Sequence, residues 1–87
     1  MYDYELRKTV EKLFFKLAKK NSKQLLMIEK KIGEIIQKPQ HYKNLRKPLQ
    51  HLKRVHVDKS FVLTFSVDEK RNTVIIEDYG HHDEIYD

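Results

Sequence analysis

The fold is decided by one stretch of the sequence, FVLTFSVDEKRNTVII at positions 61–76. Large apolar and smaller side chains alternate at its start, and it ends in a β-branched run; both patterns favour strands. Between them, the polar residues 68–72 predict a turn. Upstream, residues 55–58 alternate valines with polar side chains, as in a further strand. The second half of the chain therefore predicts three consecutive strands.

The first half predicts one strand and two helices. Residues 2–6 alternate with the period of two that is typical of a strand. Thr9 is the expected N-cap of the first helix, Asn21-Ser22 separates the two helices, and Pro39 is expected to end the second. Each helix has one apolar stripe at helical spacing: Val10, Leu13, Phe14, Leu17 and Ala18 in the first, and Leu25, Ile28, Ile32, Ile35 and Ile36 in the second.

These elements predict a single α+β domain over residues 1–87, since a chain of this length has room for one core. The element order is β-α-α-β-β-β. We expect a twisted, mainly antiparallel sheet with the N-terminal helical hairpin on one face, because both apolar stripes must be buried against something. Residues 39–50 are expected to form an ordered loop.

Composition narrows the classes of function. The chain has no cysteine, which excludes disulfides and thiolate metal sites and suits a reducing cytoplasm. No apolar run approaches the 20 or so residues that a membrane span needs. The positive charge is concentrated in residues 38–59, which contain seven Lys or Arg and one acidic residue, in a chain with a net charge of +5. Such a stretch favours a polyanion partner, nucleic acid first, although lysines elsewhere on the helices are expected only to keep the surface solvated.

The tail GHHDEIY at positions 80–86 is the most promising place for chemistry. Histidine can act as acid or base near neutral pH, and RNA carries its own nucleophile, the 2′-hydroxyl. A plainer interpretation exists for every candidate, and some are left open. His41 suits a surface position, His51 either a loop or the start of a strand, His56 a solvated strand position and Tyr86 simple packing. A zinc site at His81-His82 is disfavoured because there is no cysteine and adjacent strand residues point to opposite faces.

The element order, the Lys47-Pro48-Leu49 segment before a strand and the tail together resemble the RelE/ParE toxin superfamily. The similarity extends over nearly the whole chain. The YafQ-like branch is the nearest, through HVDKSFVL at positions 56–63 and a histidine, His82, four residues before the aromatic Tyr86. That resemblance implies that His56 and His82 are active-site histidines and that Tyr86 is the terminal aromatic. Lys47 stands where that branch has a histidine and other RelE-like proteins have a lysine.

Two positions depart from the family pattern. Many RelE-like toxins have an arginine where this chain has Val62, and the YafQ-like aspartate is replaced by Ser60. The YafQ-like branch also lacks the arginine, so its absence favours chemistry based on histidine. Charge on the transition state would then be stabilised by Lys47, Lys53 or Arg54.

The resemblance implies the toxic component of a type II toxin–antitoxin system, with a RelB-like antitoxin, the ribosome and mRNA as its partners. The expected activity is ribosome-dependent cleavage of mRNA through the 2′-hydroxyl, in the cytoplasm, without metal or small-molecule cofactor. Two alternatives stay open: a ParE-like inhibitor of DNA gyrase on the same fold, and a basic RNA-binding module without catalysis. The expected site comprises His56, His82 and Tyr86 for catalysis and Arg46, Lys47, Lys53 and Arg54 for RNA binding.

Overall fold

A computed structural model describes residues 1–85 of the chain and has the predicted order of elements, with one short helix added at the end. The strands are β1 (Asp3–Leu6), β2 (Lys53–His56), β3 (Phe61–Asp68) and β4 (Thr73–His81). The helices are α1 (Lys8–Lys20), α2 (Ser22–Ile35) and α3 (His82–Ile85), and a 3₁₀ turn spans Pro39–His41.

The four strands form one sheet in the order β1-β4-β3-β2. β3 pairs antiparallel with both β2 and β4, whereas β1 pairs parallel with β4. The predicted α+β fold with a mainly antiparallel sheet is confirmed. Among residues 1–85, no helix is long and apolar enough to cross a membrane.

The core lies between one face of the sheet and the helical hairpin. Burial of apolar side chains there is the main force that holds the layers together. The buried cluster takes Val10 and Phe14 from α1, Ile28, Ile32 and Ile35 from α2, and Leu63, Phe65, Val74, Ile76 and Tyr79 from the sheet.

Asn21 makes the hairpin turn a single residue long. Its N–H donates to the carbonyl of Leu17 (2.7 Å) and closes α1, while its side-chain oxygen accepts the N–H of Gln24 (3.1 Å) and caps α2. One residue therefore serves as both C-cap and N-cap, which agrees with the predicted break at this point.

Two predicted helix boundaries are wrong. α1 begins at Lys8 with Arg7 as its N-cap, so Thr9 lies inside the first turn. The reason is that the N–H of Arg7 still donates to the carbonyl of Ile76, and the chain becomes helical directly after this bond. α2 ends at Ile35, ahead of Pro39, because residues 37 and 38 tighten into i→i−3 bonds, such as that from the N–H of Lys38 to the carbonyl of Ile35 (3.2 Å).

A β-bulge in β4 determines what the opposite face of the sheet carries. Thr64 pairs with Asp78 but Phe65 pairs with Ile76, so Glu77 is the extra residue. Ile76 and Tyr79 both reach the core, and the two carboxylates between them lie on the other side. We call that side the open face; it also carries Arg54, His56, Val62 and Thr64, which alternate with core residues along β2 and β3.

Candidate active site

His56 and His82 meet at one end of the open face. His56 ends β2 and pairs with Val62, which pairs in turn with Gly80 of β4, two residues before His82. The two imidazole rings stack with their centroids 6.0 Å apart and their planes 19° from parallel. Both side chains are exposed to solvent, so the structure brings the two predicted histidines together where a substrate can reach them.

Two contacts hold α3, the helix that begins at His82, against the sheet. The N–H of His82 donates to the carbonyl of Ser60 (2.7 Å) in the turn between β2 and β3. Further along α3, the side chain of Ile85 folds back over Gly80, where a Cβ atom would lie 3.5 Å from its Cδ1 atom. The short helix is therefore held against the sheet at both of its ends.

Asp83 stands between the two adjacent histidines. Its backbone N–H donates to Nδ1 of His81 (3.2 Å), and its carboxylate oxygens lie 3.7 Å from that Nδ1 atom and 3.5 Å from Nδ1 of His82. A carboxylate at this place favours a His82 ring that presents Nε2 outward. The His81 ring packs edge-on against Phe61 instead (5.6 Å between centroids), away from the stacked pair.

Val62 is the cross-strand neighbour of His56 on β3. It is fully buried and lies in register between His56 and Gly80. This is the position at which many RelE-like toxins have an arginine, so this chain has an apolar side chain instead of a cation directly across from His56. Ser60, where the YafQ-like branch has an aspartate, contributes its backbone carbonyl to His82.

The predicted RNA-binding cations divide into two groups. Arg46 and Arg54 line an open groove of about 550 Å³ beside the pair, between the 43–49 loop and α3. Its other lining residues are Lys43, Asn44, Leu45, Leu49 and Ile85. Lys47 is exposed on the same loop. Arg46 and Arg54 therefore share one groove, and Lys47 lies next to Arg46 on the loop that forms one side of it.

Lys53 belongs to the other group. Its ammonium donates to the carbonyl of Tyr42 (2.7 Å) and to Oδ1 of Asn44 (2.9 Å), and it is half-buried. The Lys53 side chain therefore attaches the 43–49 loop, which we call the basic loop, to β2. Tyr86, the third predicted catalytic residue, lies outside the described residues.

Three features of the site were missed from the sequence. They are helix α3, the contacts of Asp83, and the turn closed by Asp58, whose Oδ1 accepts the N–H groups of Ser60 and Phe61. Only the last had a local signal, since an aspartate two residues before a serine between strands is typical of an Asx turn. Within residues 1–85, no group of three or more His, Asp or Glu side chains is arranged to hold a metal ion.

Comparison with known proteins identifies the family. No family model matches the chain. Two relatives are each 55% identical over 86 residues, which is 99% of this chain: an uncharacterized protein of Methanosarcina mazei, matched over 100% of its length, and a protein of Methanocaldococcus jannaschii provisionally named toxin RelE4, matched over 92%. The chain belongs to the RelE family of toxins.

Solved structures share the fold. A metal-bound toxin from Helicobacter pylori matches with a TM-score of 0.77 and 24% identity, over 99% of this chain and 100% of its own. YafQ from E. coli BL21(DE3) matches with 0.73 and 19%, over 100% of both chains. A chain of the intact E. coli RelBE toxin–antitoxin complex matches with 0.76 and 18%, over 93% of this chain and 96% of its own. The predicted resemblance to RelE and YafQ toxins is thus confirmed, and the homologues are toxins of toxin–antitoxin systems.

Proposed function

We propose that this protein is the toxic component of a type II toxin–antitoxin system and that it cleaves mRNA on the ribosome. The observation that carries the proposal is the stacked pair of His56 and His82, which lie on the same two elements, β2 and α3, that line the basic groove through Arg54 and Ile85. Two imidazoles beside a surface for phosphates are the groups that cleavage through the 2′-hydroxyl needs.

The reaction requires two proton transfers. The 2′-oxygen attacks the adjacent phosphorus while one neutral imidazole takes its proton. The bond from phosphorus to the 5′-oxygen breaks, and the other imidazole, protonated, gives that oxygen a proton. The products are a 2′,3′-cyclic phosphate and a free 5′-hydroxyl. His56 and His82 supply these two groups, and no cofactor is needed in the scheme.

Charge on the pentacoordinate phosphorus has to be offset by cations. Arg54 precedes His56 by two residues on the open face, and Arg46 lies across the groove. Together with Lys47 they would hold the phosphates on either side of the scissile bond. Lys53 would act indirectly, without contact with RNA, by holding in place the loop that carries Arg46 and Lys47.

An antitoxin is the expected protein partner. The E. coli relative was solved as the intact RelBE complex, and a RelB-like protein would neutralise this chain by covering the basic groove. The ribosome would supply the remaining substrate geometry, since both imidazoles are exposed to solvent.

The test is mRNA cleavage during translation in vitro. We expect wild-type protein to cut mRNA only in the presence of ribosomes, and His56→Ala and His82→Ala each to reduce the cleavage rate at least about 100-fold. His41→Ala is the matched control. It also removes an imidazole, but His41 lies near the C-terminal end of α2, beside Gln37 and Lys38, and is not part of the stacked pair. Unchanged cleavage by both site variants would refute the assignment. Inhibition of gyrase supercoiling without mRNA cleavage would favour the ParE-like alternative.

A further inference from the structure

One side chain closes the turn between β2 and β3. Oδ1 of Asp58 accepts the N–H groups of Ser60 (2.9 Å) and Phe61 (3.2 Å), and the N–H of Val57 donates to the carbonyl of Phe61 (3.0 Å). These three bonds fix the path of residues 57–60, the segment that connects β2 to β3. The turn thus depends on Asp58 for its shape.

The same turn supports both histidines. His56 immediately precedes it, at the end of β2. On its other side, the carbonyl of Ser60 accepts the N–H of His82 at 2.7 Å. A displacement of the turn would therefore move the backbone of both histidines.

α3 is too short to hold its first residue in place by itself. Four residues make a single turn of helix, which is not stable alone in water. The Ile85 contact on Gly80 anchors its far end. The backbone bond from His82 to the carbonyl of Ser60 therefore helps to set the position from which the His82 ring projects.

We propose that Asp58 is a positioning residue for the His56–His82 pair, acting through the turn without contact with substrate. The proposal rests on the proposed function for its effect on cleavage, but not for its effect on ring geometry. What matters is the acceptor oxygen and not the charge, because both bonds that Oδ1 accepts come from backbone N–H groups.

The distinguishing variants are Asp58→Asn and Asp58→Ala. Asparagine keeps an acceptor oxygen at the same place and supports the same turn; alanine removes it. We expect the cleavage rate at saturating ribosome–mRNA complex to fall about 100-fold in Asp58→Ala, as for a displacement of about 1 Å in reacting groups. In Asp58→Asn the rate should stay within about threefold of wild type.

Asp68→Ala is the matched control. Oδ1 of Asp68 accepts the N–H of Arg71 (3.2 Å) in the turn between β3 and β4, at the opposite end of the sheet. This variant also loses an ion pair from Asp68 to Arg71 (2.8 Å), so it disturbs its own turn as much. It should cleave mRNA like wild type.

A second readout separates this proposal from the proposed function. In NMR spectra, nuclear Overhauser effects between ring protons of His56 and His82 report the stacked pair directly. They should persist in wild type, Asp58→Asn and Asp68→Ala and vanish in Asp58→Ala. If wild type shows them but cuts no mRNA, the proposed function fails while the positioning role stands.

Three outcomes would overturn the positioning role. One is unchanged ring contacts and cleavage in Asp58→Ala. Another is an equal loss in Asp58→Asn and Asp58→Ala, which would assign the effect to charge. The third is an equal loss in Asp68→Ala, which would make it a general effect of stability. If Asp58→Ala does not fold, Asp58→Ser replaces it, since a hydroxyl supports such turns only weakly and should give an intermediate loss.

Discussion

The ammonium of Lys53 donates to the backbone carbonyl of Tyr42 at 2.7 Å and so joins β2 to the start of the basic loop. A second bond runs to Oδ1 of Asn44 (2.9 Å), and Asn44 also bridges to Lys53 through the backbone. The loop that carries Arg46 and Lys47 is thus attached to the sheet through a lysine that composition alone would assign to RNA.

Lys53→Met should therefore destabilise the fold. The variant keeps the aliphatic stem but removes two hydrogen bonds from a charged donor, and we expect a loss of about 1–3 kcal/mol in the free energy of unfolding. Urea unfolding followed by circular dichroism measures it. The matched control is Lys47→Met, which should stay within about 0.5 kcal/mol of wild type because Lys47 is exposed. Equal stability of the two variants would contradict the anchoring role.

RNA binding should depend on the exposed cations Arg46, Lys47 and Arg54. Each phosphate contact that is lost lowers the slope of log affinity against log salt by about 0.7 for a single strand. Arg46→Ala, Lys47→Ala and Arg54→Ala should each weaken binding to a single-stranded RNA and reduce this slope. Titrations at several salt concentrations with fluorescently labelled RNA measure it. Lys70→Ala, in the turn between β3 and β4 at the far end of the sheet, should leave the slope unchanged.

Asn21→Ala should destabilise the helical hairpin. The substitution removes the side-chain cap of α2, and such losses amount to about 1 kcal/mol. Thermal unfolding should shift to lower temperature, while the ring contacts of His56 and His82 persist. Ser22→Ala is the control, since the cap oxygen belongs to Asn21 and serine at the next position lies within the helix. A hairpin that is equally stable in both variants would argue against the double capping role.

Stability should fall in acid through Glu77. Hydrogen bonds from the Arg7 guanidinium (2.9 and 3.1 Å), with a further one from Ser66, hold the pKa of this carboxyl below its usual range. Because the folded pKa is the lower one, the contribution is present above the unfolded pKa of about 4.3 and is lost as pH falls through the folded value.

Glu77→Gln tests this dependence. At pH 7 the variant should be less stable than wild type by up to about 1 kcal/mol, because the pair is partly exposed. The gap should narrow between pH 5 and pH 3 in urea unfolding experiments. A gap that stays constant over this range would mean that the ion pair contributes nothing that depends on charge.

Much of the fold could be predicted from local patterns. Period-two alternation predicted β3, and apolar stripes predicted Val10 with Phe14 and Ile28 with Ile32 as core residues, because secondary structure and one-sided burial leave a direct periodic signal. The boundary at Thr9 was wrong since it depends on a bond from Arg7 to β4, which is distant in sequence. The extra residue at Glu77 also arises from pairing between strands and leaves no local signal.

The candidate site was less accessible to prediction. The resemblance to a family selected His56 and His82, and the structure places their rings in contact. Alternation alone left His56 as an ordinary solvated residue. The role of Lys53 as an anchor could not be inferred, because a lysine in a basic segment has the same composition whether it faces solvent or a carbonyl group.

The parallel pairing of β1 with β4 also constrains how the chain folds. Asp3 pairs with Thr73 and Leu6 with Ile76, so β1 has no partner in the sheet until residues 73–76 have left the ribosome. Contacts between residues so far apart in sequence are slow to form. During synthesis, β1 must therefore wait for β4, so one edge of the sheet is completed by a strand that was made before the other three.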